Sequence, residues 1–225
     1  MEMRLPGMLL GWSVFEMEKN RQKGHENSNL SNITQKWVDL LVPLTSDYSK
    51  KFYASELSRK TSIPQQTASR QLNMLAKVNL ISYRKEGKNK IFYIDLEKQN
   101  RRTLLNLIES YKALLFQLET KHITVVVDEI LSNCESLIIF GSYASGRFNE
   151  KSDLDLLVLG KHNKPNIKGI KQRQVFEINE HYASYKEFAK ILKLKNPLAL
   201  EIRGNHVLFG NISKIVDIFW RDAHE

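Results

Sequence analysis

"GSYASGRFNEKSDLDLLVLG", residues 141–160, places Gly141 and Ser142 after the apolar run "SLIIF" (136–140) and sets Asp153 and Asp155 two positions apart inside a second apolar run. A glycine at a strand end lets the backbone approach a ligand closely, and a hydroxyl beside free amides suits a phosphate. In "LDLLVL" the two-residue period of a strand turns both carboxylates to one face. Like charges so close repel unless a cation lies between them, and hard oxygen donors of this kind favour Mg²⁺. Such an ion would bridge nucleotide phosphates and neutralise charge developing at phosphorus. A strand edge with exposed aspartates, entered by a Ser152-Asp153 turn, is the structural alternative; the glycine-serine pair favours the site.

Working outward, "ITVVVDEILSN" (123–133) reads as an amphipathic helix, "SLIIF" and "LDLLVLG" as strands and "QVFEIN" (174–179) as a third strand. "YKEFAKILK" (185–193) reads as a helix and "LALEIRGNHVLFG" (198–210) as further extended chain. Helices alternating with strands give an α/β or α+β domain.

Gly-Ser, ten residues, then Asp-x-Asp is closely similar to the signature of the minimal nucleotidyltransferases of the DNA polymerase beta superfamily. The match covers 137–160, with a looser correspondence of element order to about Gly210. The resemblance implies a mixed sheet, two Mg²⁺ ions, and transfer of a nucleotidyl group from a nucleoside triphosphate to a hydroxyl, with pyrophosphate leaving. It gives Gly141 and Ser142 to the phosphates and Asp153 and Asp155 to the metals. A third carboxylate is expected on a later strand, and Glu177 in "QVFEIN" answers to it as metal ligand and activator of the acceptor hydroxyl, with Glu180 second. Many relatives carry Ala-Arg-Gly directly after Gly-Ser, whereas here Arg147 follows Ala144-Ser145-Gly146, a nucleotide-binding cation displaced by two positions. Lys171 and Arg173 are further candidates for the triphosphate. Prokaryotic relatives serve as antitoxins that attach AMP to a HEPN-domain ribonuclease toxin, which makes ATP the expected substrate and such a toxin an expected partner.

Upstream, Ile33, Trp37, Leu40, Leu41 and Leu44 mark an amphipathic first helix ending near Pro43. "YASELSRKTSI" reads as a short helix, and Pro64 opens a second with Ala68, Leu72 and Leu75 inward. Asn79 then suits a left-handed cap, and "LISYRKEGKNKIFYIDL" (80–96) alternates like a β-hairpin around "EGKN". This order resembles the winged helix-turn-helix regulators over residues 30–96. A helix fits the major groove, and Gln66, Arg70, Asn73 and Lys77, with Gln65, Thr67 and Ser69 at the entry, form the expected reading face; Arg84, Lys85, Lys88 and Lys90 give a wing cations for phosphate. Residues 59–90 hold eight Lys or Arg against Glu86 alone. A polar solvated helix face is the plainer alternative, and winged helices also dock proteins.

Leu104, Ile108, Tyr111, Leu115 and Leu118 recur at heptad spacing, which fits either a dimerising helix or a connector packed on its own chain. The expected α+β organisation is therefore a loose tail 1–29, a DNA-binding winged helix 30–98, a connector 99–120 that allows a homodimer, and a nucleotidyltransferase domain 121–225 with a small mixed sheet and helices. In the tail, Met17 offers an alternative start.

The net charge of +9 suits double-stranded DNA and nucleoside triphosphates as partners. One cysteine, Cys134, excludes an internal disulfide and fits the cytoplasm. The apolar patch near the start is too short for a membrane span, and no zinc-ligand spacing, nucleophilic serine motif or Rossmann fingerprint is present. The expected function is a Mg²⁺-dependent nucleotidyltransferase with transcription-regulating DNA binding. The competing expectation is a regulator whose second domain senses a nucleotide without transferring it.

Overall fold

The computed structural model describes residues 35–224. The expectations for the tail 1–29 and for Ile33 lie outside these residues. Residues 36–224 belong to one compact unit.

Within that unit, helix α1 (Gln35–Leu41) runs into a 3₁₀ turn (Val42–Ser46) where Pro43 sits in the first turn and ends the α-helical pairing. Strand β1 (Phe52–Tyr53) leads into α2 (Ala54–Thr61), whose first turn is closed by the Glu56 carboxylate accepting from the Tyr53 amide at 2.8 Å. Helix α3 (Gln65–Lys77) starts directly after Pro64 and buries Ala68, Leu72 and Leu75. Asn79 takes the left-handed conformation beyond its end. Strands β2 (Ser82–Glu86) and β3 (Asn89–Tyr93) form the hairpin around Gly87, and β1 adds on the far side to give the order β1-β3-β2.

The long helix α4 (Arg101–Glu119) and α5 (Lys121–Leu131) lead to a four-stranded sheet. Its strands are β4 (Cys134–Phe140), β5 (Leu154–His162), β6 (Ile178–Ala183) and β7 (Val207–Gly210), in the order β6-β5-β4-β7. β5 and β6 are parallel and the other pairs antiparallel, so the sheet is mixed, as expected. A one-turn helix α6 (Gly141–Ala144) follows β4, and α7 (Lys164–Gln172) makes the crossover from β5 to β6. Helices α8 (Tyr185–Lys193), α9 (Pro197–Gly204) and α10 (Ile212–His224) complete the unit.

Two sequence expectations are corrected. The strand expected at 174–179 begins only at Ile178, because β5 begins at Leu154 and offers no partner earlier; the first rung is the Leu154 amide donating to the Glu177 carbonyl at 2.9 Å. The chain at 197–204 is helical, not extended: the Asn196 side chain accepts from the Leu198 amide at 3.0 Å and Pro197 fills the first helical position.

Alternation along the strands divides the core. Leu137, Ile139, Leu154, Leu156 and Val158 pack under α5 and α7 with Ile123, Val127 and Ile167. On the other face Ile138, Phe140, Leu157 and Leu159 join Phe188, Phe219 and Trp220, and this cluster continues without a break through Leu104, Leu105 and Ile108 to Trp37, Leu72 and Phe92. The cluster thus includes residues on both sides of position 98. On α4, Leu104 and Ile108 of the anticipated seam are buried in this chain's own core, and the Tyr111 hydroxyl reaches Asp39 at 3.1 Å. The exposed leucines of the helix are Leu107, Leu114 and Leu118.

α4 also carries a buried ionic cluster. Glu109, wholly buried, accepts from Lys112 at 2.8 Å and Tyr48 at 3.2 Å, and lies 3.1 Å from His206 Nε2 just before β7. Burial pushes the Glu109 carboxyl up, but Lys112 and His206 outweigh it and hold the pKa at about 2. No described helix is long and apolar enough to cross a membrane.

Candidate functional site

The two ends of the quoted stretch meet. β4 delivers Gly141 at its end and β5 pairs Asp155 with Phe140, so the residue after Phe140 lies against the Asp155 side chain. Gly141 is left-handed at φ +68°, and a Cβ there would stand 2.3 Å from Asp155 Oδ2. The glycine is required twice, by its conformation and by the carboxylate it accommodates.

Leu154 and Leu156 turn into the α5–α7 layer, which leaves Asp155 on the opposite face, while Asp153 lies just before the first residue of β5. Asp153 is exposed and Asp155 half-buried. Asn179, the β6 residue in register with Asp155, donates from Nδ2 to Oδ1 at 3.2 Å. Neither aspartate forms an ion pair with a Lys or Arg among the described residues. Two hard carboxylates two residues apart, without a compensating cation among the described residues, fit a divalent metal ion.

Glu177 lies before β6 and lines a groove of 480 Å³ beside Lys168, Lys171 and Gln174. It does not join Asp153 and Asp155: among the described residues no three His, Cys, Asp or Glu side chains come together as a metal cluster. Glu180 is on the opposite strand parity and bonds Lys171 at 2.7 Å. Burial pushes the Glu180 carboxyl up, yet that bond holds it below the ordinary range. Arg173 is likewise paired, with Glu129, so Lys171 and Arg173 are both engaged elsewhere than at the Gly-Ser turn.

The loop between the turn and the aspartates is tied to itself. The Ser152 hydroxyl accepts from the Asn149 amide at 2.8 Å, the Asn149 side chain from the Lys151 amide at 2.9 Å, and Gly146 is left-handed at φ +68°. Ser142 offers its carbonyl to the Arg147 amide at 3.0 Å and to the Ser145 hydroxyl at 3.1 Å, while Arg147 Nε donates to Ser145 Oγ at 3.3 Å. Arg147 is thus folded back beside the Gly-Ser turn. Tyr143 is buried beneath Phe148, and burial first, then the charge of Asp153, push its hydroxyl above the usual value.

Sequence reasoning missed Asn179 and Phe148. The amide beside Asp155 follows only from the β5–β6 register. Asn149 and Ser152, by contrast, were a readable turn signal.

On the hairpin side, α3 exposes Gln65, Gln66, Arg70 and Lys77, with Thr67 and Ser69 half-buried. A groove of 490 Å³ runs between α3 and the hairpin, lined by Tyr53, Gln65, Ser69, Asn73, Lys88 and Lys90 among others. Asn73 is already spent: its Oδ1 accepts from Lys90 and its Nδ2 donates to the Ser69 carbonyl at 2.7 Å. Lys90 also lies 4.1 Å from the Tyr83 ring centre, and Arg84 pairs with Glu86 at 3.2 Å. Arg70, Lys77, Lys85 and Lys88 are exposed cations of this surface, as is the Glu86-paired Arg84.

No curated protein and no solved structure matches the chain. One family does, the nucleotidyltransferase domain, over residues 121–217. That span begins at α5 and holds the four-stranded sheet, the Gly-Ser turn and both aspartates, and it supports nucleotidyl transfer, in general terms, as the chemistry of this part of the chain.

Proposed function

We propose that the residue 121–225 part transfers a nucleotidyl group, AMP from ATP in the first instance, to a hydroxyl acceptor. The observation that supports this reading is the close approach of Gly141 to the Asp155 carboxylate, which brings the Gly-Ser turn beside one of the two candidate metal ligands. Asp153 and Asp155 would hold Mg²⁺, two ions in the family's arrangement, which when bound neutralises charge developing at phosphorus. Ser142 and Arg147 orient the triphosphate from the turn, and Glu177 stands as the candidate for the acceptor proton. With ATP, Mg²⁺ and an acceptor bearing serine, threonine or tyrosine hydroxyls, such as a HEPN-type toxin, the expected result is labelled AMP on the acceptor and equimolar pyrophosphate. Absence of both from every triphosphate and acceptor tried would overturn transfer.

A second reading, nucleotide binding without transfer, is favoured by one observation: the strand position beside Asp155 holds an amide, Asn179, while Glu177 lies apart from the pair. The two readings separate in the same assay, since a sensor binds ATP and releases no pyrophosphate.

For the residue 36–98 part we propose a winged helix-turn-helix that binds duplex DNA through α3 and the hairpin. In this reading Gln65, Gln66 and Arg70 would meet base edges, and Lys77, Lys85 and Lys88 phosphates, which their exposure supports. Arg70→Ala is expected to weaken specific binding by about 1–3 kcal/mol, and loss of Lys85 or Lys88 to reduce the salt dependence of binding by about one ion each. Mobility shifts across a salt series check both. A homodimer on a palindromic operator would use the exposed Leu107, Leu114 and Leu118.

A further inference from the structure

Phe148 is the one aromatic residue in a loop otherwise made of Gly146, Arg147, Asn149, Glu150, Lys151 and Ser152, five positions before Asp153. Its ring lies flat on Tyr143, centroids 4.6 Å apart and planes 9° from parallel. Tyr143 is fixed from below, 5% exposed within the layer that holds Leu154 and Ile178, with His122 at 6.4 Å. One face of Phe148 is covered by that ring, and the side chain remains 36% exposed, so the free surface is the other face and its edge. Beyond covering Tyr143, the ring takes no part in holding the loop, which is tied by its own hydrogen bonds through Asn149 and Ser152.

A ring stacked on a buried neighbour with its other face open, in the loop that leads from the Gly-Ser turn to Asp153, is what a base needs for stacking. Base–aromatic stacking tolerates every base because each has a π-face, and it requires little ordering when the platform is already rigid. We propose that Phe148, backed by Tyr143, is the stacking platform for the base of the bound nucleotide, and that it reads the face of the base rather than its edge. This rests on the reading of the site as nucleotide-binding. The platform favours purines over pyrimidines by ring area and does not separate adenine from guanine.

The test is Mg²⁺-dependent binding of ATP, GTP, CTP, UTP and inorganic tripolyphosphate to the full chain and to the Phe148→Ala and Phe148→Trp variants. Tripolyphosphate engages the turn and the metal but has no base. Phe148→Ala is expected to weaken ATP and GTP about tenfold, leave tripolyphosphate unchanged, and narrow the purine preference; Phe148→Trp restores it. Equal weakening of ATP and tripolyphosphate, or no weakening of ATP, overturns the platform. If the unaltered chain binds tripolyphosphate as tightly as ATP, the platform fails while the phosphate site stands. If it binds neither, the nucleotide-binding reading itself fails, and the platform with it.

Discussion

Asp155→Ala is expected to reduce nucleotidyl transfer by about a thousandfold or more, the loss of several kcal/mol of charge stabilisation at about 1.4 kcal/mol per factor of ten. Both oxygens of Asp155 are placed: Oδ1 accepts from Asn179, and Oδ2 lies against the bare Cα of Gly141. Gly141→Ala should therefore mimic the loss without touching a carboxylate, because the new methyl would occupy the place of Oδ2 and the residue would be held in a left-handed conformation. Transfer assays under saturating Mg²⁺ read both variants, with circular dichroism confirming that the sheet remains. Full activity in Gly141→Ala would show that the Gly-Ser turn and Asp155 are not parts of one site.

The second large effect is on stability. Glu109→Ala is expected to destabilise the unit by about 3–5 kcal/mol, because Lys112 and His206 would keep their polar groups in the interior without the carboxylate that answers them. Urea unfolding monitored by tryptophan fluorescence measures it. The pH dependence has a definite sign. The folded pKa of Glu109, about 2, lies below its ordinary value of 4.5, so its contribution is fully present above that ordinary value and is lost as pH falls towards 2. The unaltered protein should lose stability steeply over that window, and Glu109→Ala should lose distinctly less. Equal slopes would remove Glu109 from the account.

The site was legible where the chemistry depends on local period. The two-residue period of a strand predicts a shared face for Asp153 and Asp155 without tertiary information, and the strand supplies Asp155 while beginning one residue after Asp153. The role of Gly141 was legible only in part: the glycine permits a close approach, and the chain's own Asp155 is a group that makes one, which local sequence could not show. Glu177 shows where local reading stops, since the start of β6 is set by the first residue of β5, 24 positions earlier in register. The heptad on α4 shows the same limit. A seam of apolar residues cannot specify whether its partner is another chain, and here Leu104 and Ile108 found theirs in Phe219, Trp220 and the rest of one core. The helix at 197–204, by contrast, was announced by Asn196-Pro197 and needed only to be read as a cap.

That common core has a thermodynamic consequence. If residues 36–224 unfold as one cooperative body, any ligand that binds the folded form at either surface stabilises all of it, by about 2.7 kcal/mol at a hundredfold excess over its Kd. The hairpin and the proposed nucleotide site then report on each other's occupancy through a single melting transition, and a fluorophore on Lys88 would register saturation with triphosphate as a higher Tm.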